Sequence, residues 1–284
     1  LNCNYFEVAA MTFSFSQLAL ATGLATGALL SSLGTANALA FGFQFGTNAS
    51  RPVPSANEKE AAQRDILLES VTFGDQTITD FAFVSSVPLN FFNDLYTGQN
   101  TGAASADKGD LATGGVKNEK LTAANVVTNL STNNLNHIID TEDTGSFTLD
   151  LTFDAMIDNL LIWERGKNSD LGVQALDADG KAIGNRLVVK RNMWFDAGYE
   201  IDTLEIDNVQ EVGSLGINIW SDLGVASGAV STIRISSEKG FNGPDWKVVG
   251  TAATRSVPEP ALILGLTLLG GAMALTKRSD IQSA

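Results

Sequence analysis

The side chains that could do chemistry in this chain are few. It has one histidine, His137, and one cysteine, Cys3. A serine–histidine–aspartate triad must use His137 or not exist, and a zinc centre of several histidines is excluded, as is any disulfide within the chain. His137 lies beside Ile138 with no serine or carboxylate motif around it, so it reads as a packed residue rather than a general base. Carboxylates are plentiful. Glu164, Glu200 and Glu205 could supply the acid and base of a glycosidase, but that chemistry needs a set separation between two carboxyl groups, which a linear sequence does not encode. Glu164 precedes Arg165 and reads as an ion pair or a surface charge. These residues point away from an enzyme. Trp163, Trp194, Trp220 and Trp246 are aromatic platforms on which a sugar ring could stack. Trp220 is the best placed, opposite the Leu215, Ile217 and Ile219 face, and Trp194 is a second glycan-binding candidate. Trp163 and Trp246 read as core.

No spacing defines a metal site, and no cofactor is expected. Asp177-Ala178-Asp179-Gly180 matches the start of a calcium loop, but the later oxygen ligands and the terminal glutamate are missing, so it reads as a turn. Acidic loops around Asp75, Asp107, Asp110, Asp170 and Asp177 leave calcium open. The net charge of −14 argues against nucleic acid, whose phosphates need lysine and arginine, and suits solubility outside a cell.

The elements that must position these residues are mostly strands. Phe41, Phe43 and Phe45 alternate with small or polar residues and read as one face of a first strand. Residues 57–64 read as a short helical or looped excursion. Residues 66–73 and 78–84 read as strands joined through Gly74-Asp75-Gln76. Residues 97–115 hold almost no large apolar side chain and read as a long surface loop. Residues 121–139 are part helical, interrupted by the asparagine-rich piece 129–136. The clearest strand is 146–154. It turns Phe147, Leu149, Leu151 and Phe153 to the core and Asp150 and Asp154 to a face that is wet or touches a ligand. A separate, more apolar strand follows at 160–164. Residues 171–176 and 181–190 form a hairpin about Ala178-Asp179-Gly180. Further strands are expected at 194–200, 201–206, 215–219, 233–235 and 246–249. Short strands split by glycine, aspartate and asparagine turns predict an all-β fold for residues 41–254, a jelly-roll-like β-sandwich with minor helices.

Both ends read as processing segments. Residues 18–33 are alanine, leucine, glycine, threonine and serine, an apolar stretch of signal-peptide length, and Ala36-Asn37-Ala38 and Ala38-Leu39-Ala40 are both cleavage sites of the A-x-A kind. Cleavage after Ala40 makes Phe41 the mature start, and implies a secretion translocon and signal peptidase as partners. Met11 is the expected initiator, with residues 1–10 spurious upstream residues. At the other end, Val257-Pro258-Glu259-Pro260 is followed by apolar residues 261–275 and then Lys277-Arg278. At about 1.5 Å per residue that stretch reaches about 22 Å, short of a hydrocarbon core of about 30 Å. The two prolines hold the motif extended outside the membrane, and the basic pair marks the cytoplasmic stop.

This tail resembles the PEP-CTERM sorting signal, the substrate tail of exosortases. The resemblance assigns residues 255–284 to the signal, with a transmembrane helix at 261–276. It implies recognition and cleavage by an exosortase in an exopolysaccharide-producing bacterium, with the chain in the membrane until then. Ile162-Trp163-Glu164-Arg165-Gly166-Lys167-Asn168-Ser169-Asp170-Leu171-Gly172-Val173-Gln174-Ala175-Leu176-Asp177 and Gly243-Pro244-Asp245-Trp246-Lys247-Val248 also resemble exosortase-dependent surface proteins, a likeness spanning most of 140–250. That family is defined by delivery, so it implies a place rather than an activity. The expectation is a secreted protein of the cell surface or exopolysaccharide matrix with a structural or adhesive role. The alternative is a carbohydrate-binding module that takes exopolysaccharide as its partner.

Overall fold

The longest alternating run in the chain becomes the strand that five others pair with. The structure is a computed structural model and describes residues 41–88, 90–95 and 102–253. In chain order its first elements are β1 (Gly46–Ser50), α1 (Glu58–Gln63), β2 (Leu67–Phe73), β3 (Gln76–Ile78), β4 (Phe81–Ala82), β5 (Val84–Ser86), β6 (Phe91–Asn93), β7 (Ala104–Lys108) and α2 (Ala123–Leu130). There follow β8 (His137–Thr141), β9 (Phe147–Arg165), β10 (Leu171–Leu176), β11 (Ala182–Val189), β12 (Phe195–Ile201), β13 (Gln210–Asn218), β14 (Val230–Ser237) and β15 (Asp245–Ala252). Among the described residues strand makes up 51% and helix 7%, with antiparallel pairing throughout, which places this part of the chain in the all-β, sandwich-like class.

Strand β9 carries the architecture in two halves. Its first half pairs with β14, β5 and β6, and its second half with β13 and β15. Between them, Thr232 faces Thr152 while Val230 faces Ile157, so β9 holds extra residues there and changes partners across an irregularity. The large sheet runs β11-β10-β14-β9-β15-β8-β7. A smaller sheet, β1-β2-β3, supplies Leu68 and Val71 to the core formed with Leu161, Trp163, Tyr199 and Val249 of the large sheet. Phe45 meets the Trp163 ring edge-on at 5.3 Å, and the Trp163 indole N–H donates to Thr47 Oγ1 at 2.9 Å.

Helix α2 starts at a reciprocal cap. Thr122 accepts from the Asn125 N–H, and Asn125 accepts from the Thr122 N–H. At its next-to-last residue, buried Asn129 donates to the Asp107 and Ile138 carbonyls. A single amide side chain therefore ties α2 to β7 and β8, the two strands that carry part of the site described below.

Several expectations are corrected. Residues 97–115 are not simply a surface loop, because β7 lies within them and is buried beside β8. The chain just before it is closely packed: a Cβ on Gly145 would lie 1.9 Å from the Ala103 Cβ. Residues 146–154 and 160–164 are one strand, not two. Asp150 is not on a wet face. It is buried and takes two bonds from Arg234, its cross-strand neighbour, at 2.6 and 2.8 Å. The first strand begins at Gly46 rather than Phe41, and residues 202–206 are irregular rather than a strand. Strand β13 ends at Asn218, so Trp220 stands in the turn beyond it rather than on a strand face. The hairpin of β10 and β11 is as expected. Asp177 Oδ1 accepts from the N–H groups of Asp179 and Lys181, and Gly180 takes φ +78°, a conformation that glycine adopts without strain.

Candidate functional site

Register alone builds a row of polar side chains across the large sheet. Ser105 of β7 lies opposite Asp140 of β8. Trp246 of β15 lies opposite Ile139, which brings Asp245 beside Asp140, and Asp245 lies opposite Arg165 of β9. Side chains directly across antiparallel strands share a face, so Ser105, Asp140, Asp245 and Arg165 form one line. Asp107, two residues on from Ser105, joins the same face. The segment after β12 closes over this line. Leu204 N–H bonds the Lys108 carbonyl at 3.0 Å, the Glu205 N–H donates to Asp107 Oδ2 at 3.2 Å, and Ser105 Oγ donates to Glu205 Oε2 at 3.1 Å.

Arg165 is fully buried at the base. Its Nη1 donates to Thr203 Oγ1 at 3.0 Å and stands 3.5 Å from Asp245 Oδ2 and 3.7 Å from Asp140 Oδ2. Asp245 Oδ1 accepts from the Thr141 N–H at 2.9 Å. Asp140 is only 4% exposed, and its Oδ2 accepts no hydrogen bond among the described residues; Arg165 Nε also has no partner there. Four carboxylates, Asp107, Asp140, Glu205 and Asp245, thus crowd one guanidinium, with Lys117 near Glu205 on the outer side.

Burial first, and the crowding of charge second, set their acidity. Burial, with the Asp245, Glu205 and Asp107 charges behind it, pushes Asp140 well above the usual carboxylate range. Burial raises Asp245 to about 7 against the pull of Arg165, and raises Glu205 to about 7 with Glu119 and Asp107 adding to it. Burial also raises Asp107. A cavity of about 320 Å³ opens onto this group, lined by Asp140, Arg165, Glu205 and Asp245 with Glu142 and Asp143.

A second acidic group, Asp110, Asp202 and Asp207, lies beside α1. There Lys59 Nζ is 2.7 Å from Asp207 and 3.8 Å from Asp202, and Gln63 donates to Asp110 and Asp202. Of the other aspartates read as calcium candidates, Asp170 is held by Lys190 and Arg191, Asp177 serves its turn, and Asp75 is exposed in the β2–β3 turn.

The three glutamates do not meet. Glu200 lines a separate cavity with Glu58, Asp196 and Glu211, and Glu205 belongs to the pocket above. Glu164 faces Trp246, on the side of β9 opposite Arg165, so it is neither that residue's ion-pair partner nor a surface charge. Its oxygens meet no donor in good geometry, and burial drives it well above the usual range, although the Ser169 hydroxyl and the Lys167 and Asn168 N–H groups favour its charge.

The tryptophans divide clearly. Trp163 and Trp246 are core, with Trp246 stacked on Phe147 at 5.8 Å. Trp194 is 8% exposed and donates to the Ser169 carbonyl, so little of its ring is open to a sugar. Trp220 is 66% exposed, in a turn where Asn218 Oδ1 accepts from the N–H groups of Trp220 and Ser221. His137 is packed. Its Nε2 meets the Thr113 carbonyl at 2.9 Å and the Asn134 amide nitrogen at 3.0 Å, and its Nδ1 meets Thr132 Oγ1 at 3.2 Å, so both ring nitrogens are engaged. Val257, Pro258, Glu259, Pro260, Lys277, Arg278, Ala38 and Ala40, with the signal and transmembrane helices, lie outside the described residues.

Sequence reasoning missed Asp140, Arg165 and Asp245. The available signal was a charged residue at the end of an apolar run, as in Ile138-Ile139-Asp140 and Leu160 to Arg165. Such a residue is carried inward by its strand. No protein-family model matches the chain, and no curated protein matches it. What the pocket does is therefore argued from its own residues.

Proposed function

We propose that this chain is a protein of the cell surface or exopolysaccharide matrix, sorted by an exosortase, with a structural or adhesive role. The observation that carries the reading is the terminal sequence: Val257-Pro258-Glu259-Pro260, apolar residues 261–275 and Lys277-Arg278 in that order. The acidic, all-β body is compatible with life outside the cell, and the jelly-roll form of its sandwich belongs to the same reading. The test replaces Pro258 and Glu259 by alanine in an exopolysaccharide-producing host with an exosortase. The variant is expected to stay with the membrane fraction while the parent reaches the matrix. An unchanged distribution would overturn the reading.

Carbohydrate binding is the second reading, favoured by exposed Trp220. A polar groove of about 560 Å³, lined by Phe92, Gln174, Arg186, Arg234, Ser236 and Glu238, is a further place for a glycan chain. Trp220→Ala is expected to weaken binding to the host's exopolysaccharide by about tenfold or more, while stability changes by no more than about 0.5 kcal/mol. Equal binding by parent and variant would remove Trp220 from the site.

A further inference from the structure

We propose that Asp107, Asp140 and Glu205 form a binding site for a hard divalent cation, and that calcium is the cation it fits. The inference does not depend on the surface reading.

One carboxylate oxygen from each of the three residues lies within 4.8 Å of the others. Oxygens bound to one calcium at about 2.4 Å can stand up to about 4.8 Å apart, so the set closes around such an ion with little movement. Magnesium, with bonds of about 2.1 Å and strict octahedral demands, needs a tighter set. Every donor is an oxygen, with no imidazole or thiolate, which favours hard cations over zinc or copper.

Acidic clusters are common without an ion, and the state of Asp140 is the second observation that points to one here. Asp140 is buried, it faces the cavity, and its Oδ2 accepts no hydrogen bond among the described residues. A buried carboxylate oxygen without a donor is costly, and the nearest guanidinium nitrogen is 3.7 Å away, outside hydrogen-bond reach. A cation beside Oδ2 would supply the missing partner and offset the excess of negative charge. The cavity of about 320 Å³ gives it an entry path and room for the waters that complete a calcium shell. Asp245 stands behind the ligands, oriented by the Thr141 N–H and Arg165. The Asp110 group also holds a buried oxygen without a donor, Asp202 Oδ1, but there Lys59 Nζ already stands 2.7 Å from Asp207 and 3.8 Å from Asp202 and places a cation beside the group.

The test uses the full chain, stripped with EDTA and titrated with calcium chloride alone, followed by calorimetry and thermal melting. Saturable binding with Kd about 10⁻⁴–10⁻³ M is expected, with a melting temperature that climbs as calcium rises. Asp140→Asn keeps the shape and removes a buried charge; it should weaken binding about tenfold or more. Asp110→Asn should bind as the parent does. If Asp140→Asn does not fold, Glu205→Gln provides the same comparison. No binding at about 10 mM calcium, or equal affinity in the parent and the Asp140→Asn variant, would overturn the site. Equal affinity for magnesium would overturn the preference for calcium.

Discussion

Replacing Arg165 by methionine is expected to destabilise the folded protein by about 3–5 kcal/mol at neutral pH. Methionine fills much of the same volume, so the cost is chiefly electrostatic. Arg165 is buried between Asp140 and Asp245 and also bonds Thr203 and the Ile206 carbonyl. Its loss leaves two buried carboxylates with no positive charge beside them. The carboxylates would respond by holding protons more tightly in the folded state than they already do. The penalty is therefore smaller at pH 5 than at pH 8, because protonation does part of the guanidinium's work. Urea denaturation at both pH values, with calcium chelated, measures this. A cost below about 1 kcal/mol at pH 8, in the range of an exposed ion pair, would show that the pair is not needed to hold the site.

Acidification from pH 6.5 to 4 is expected to cost the protein about 3 kcal/mol through His137. In the unfolded chain His137 takes a proton as pH falls through 6.5, whereas burial holds the folded ring neutral down to about 4. Lys247 and Lys108 oppose its charge, and Asp65 and the Thr113 carbonyl favour it, but burial is the largest effect. The folded pKa is depressed, so the stability is present above 6.5 and is lost as pH falls toward 4. The acidic pocket works in the other direction. Asp245 and Glu205 are raised to about 7, so their contribution is present below about 4 and is lost as pH rises through 7. The whole-protein curve is then flatter than either part. His137→Gln isolates the histidine, since its amide can still donate to Thr113. The difference in unfolding free energy between parent and variant should change by about 3 kcal/mol between pH 6.5 and 4. Parallel curves would mean that His137 titrates in the folded protein as it does in the unfolded chain.

Local pattern was a sound guide wherever one segment decides the outcome. The alternation of Phe147, Leu149, Leu151 and Phe153 marks a strand because side chains alternate across any β-strand, whatever its partners. Asp177 to Gly180 marks a turn because its bonds are made within five residues. Trp163 and Trp246 belong to the core, as expected from the sequence. Strand β7 was hidden because Ala104, Ser105 and Ala106 give almost no hydropathy signal and the remaining two residues, Asp107 and Lys108, are charged.

The acidic pocket could not be seen from any stretch of chain. Asp107, Asp140, Glu205 and Asp245 are brought together by the register of β7 on β8 and of β8 and β9 on β15, with the 202–209 segment laid over them. Taken singly, each is an ordinary aspartate or glutamate near a turn or strand end. A shift of one residue in any of those pairings would send its carboxylate to the other face. Asp150 teaches the same lesson: alternation placed it opposite the core residues, but Arg234 in a strand far along the chain decided that it is buried and paired. Sequence by itself determined most of the strands, the β10–β11 turn, a stock of one histidine and one cysteine, and the terminal motif. Only the tertiary structure decided which charges share a low-dielectric space, because burial and pairing depend on contacts between residues far apart in the chain.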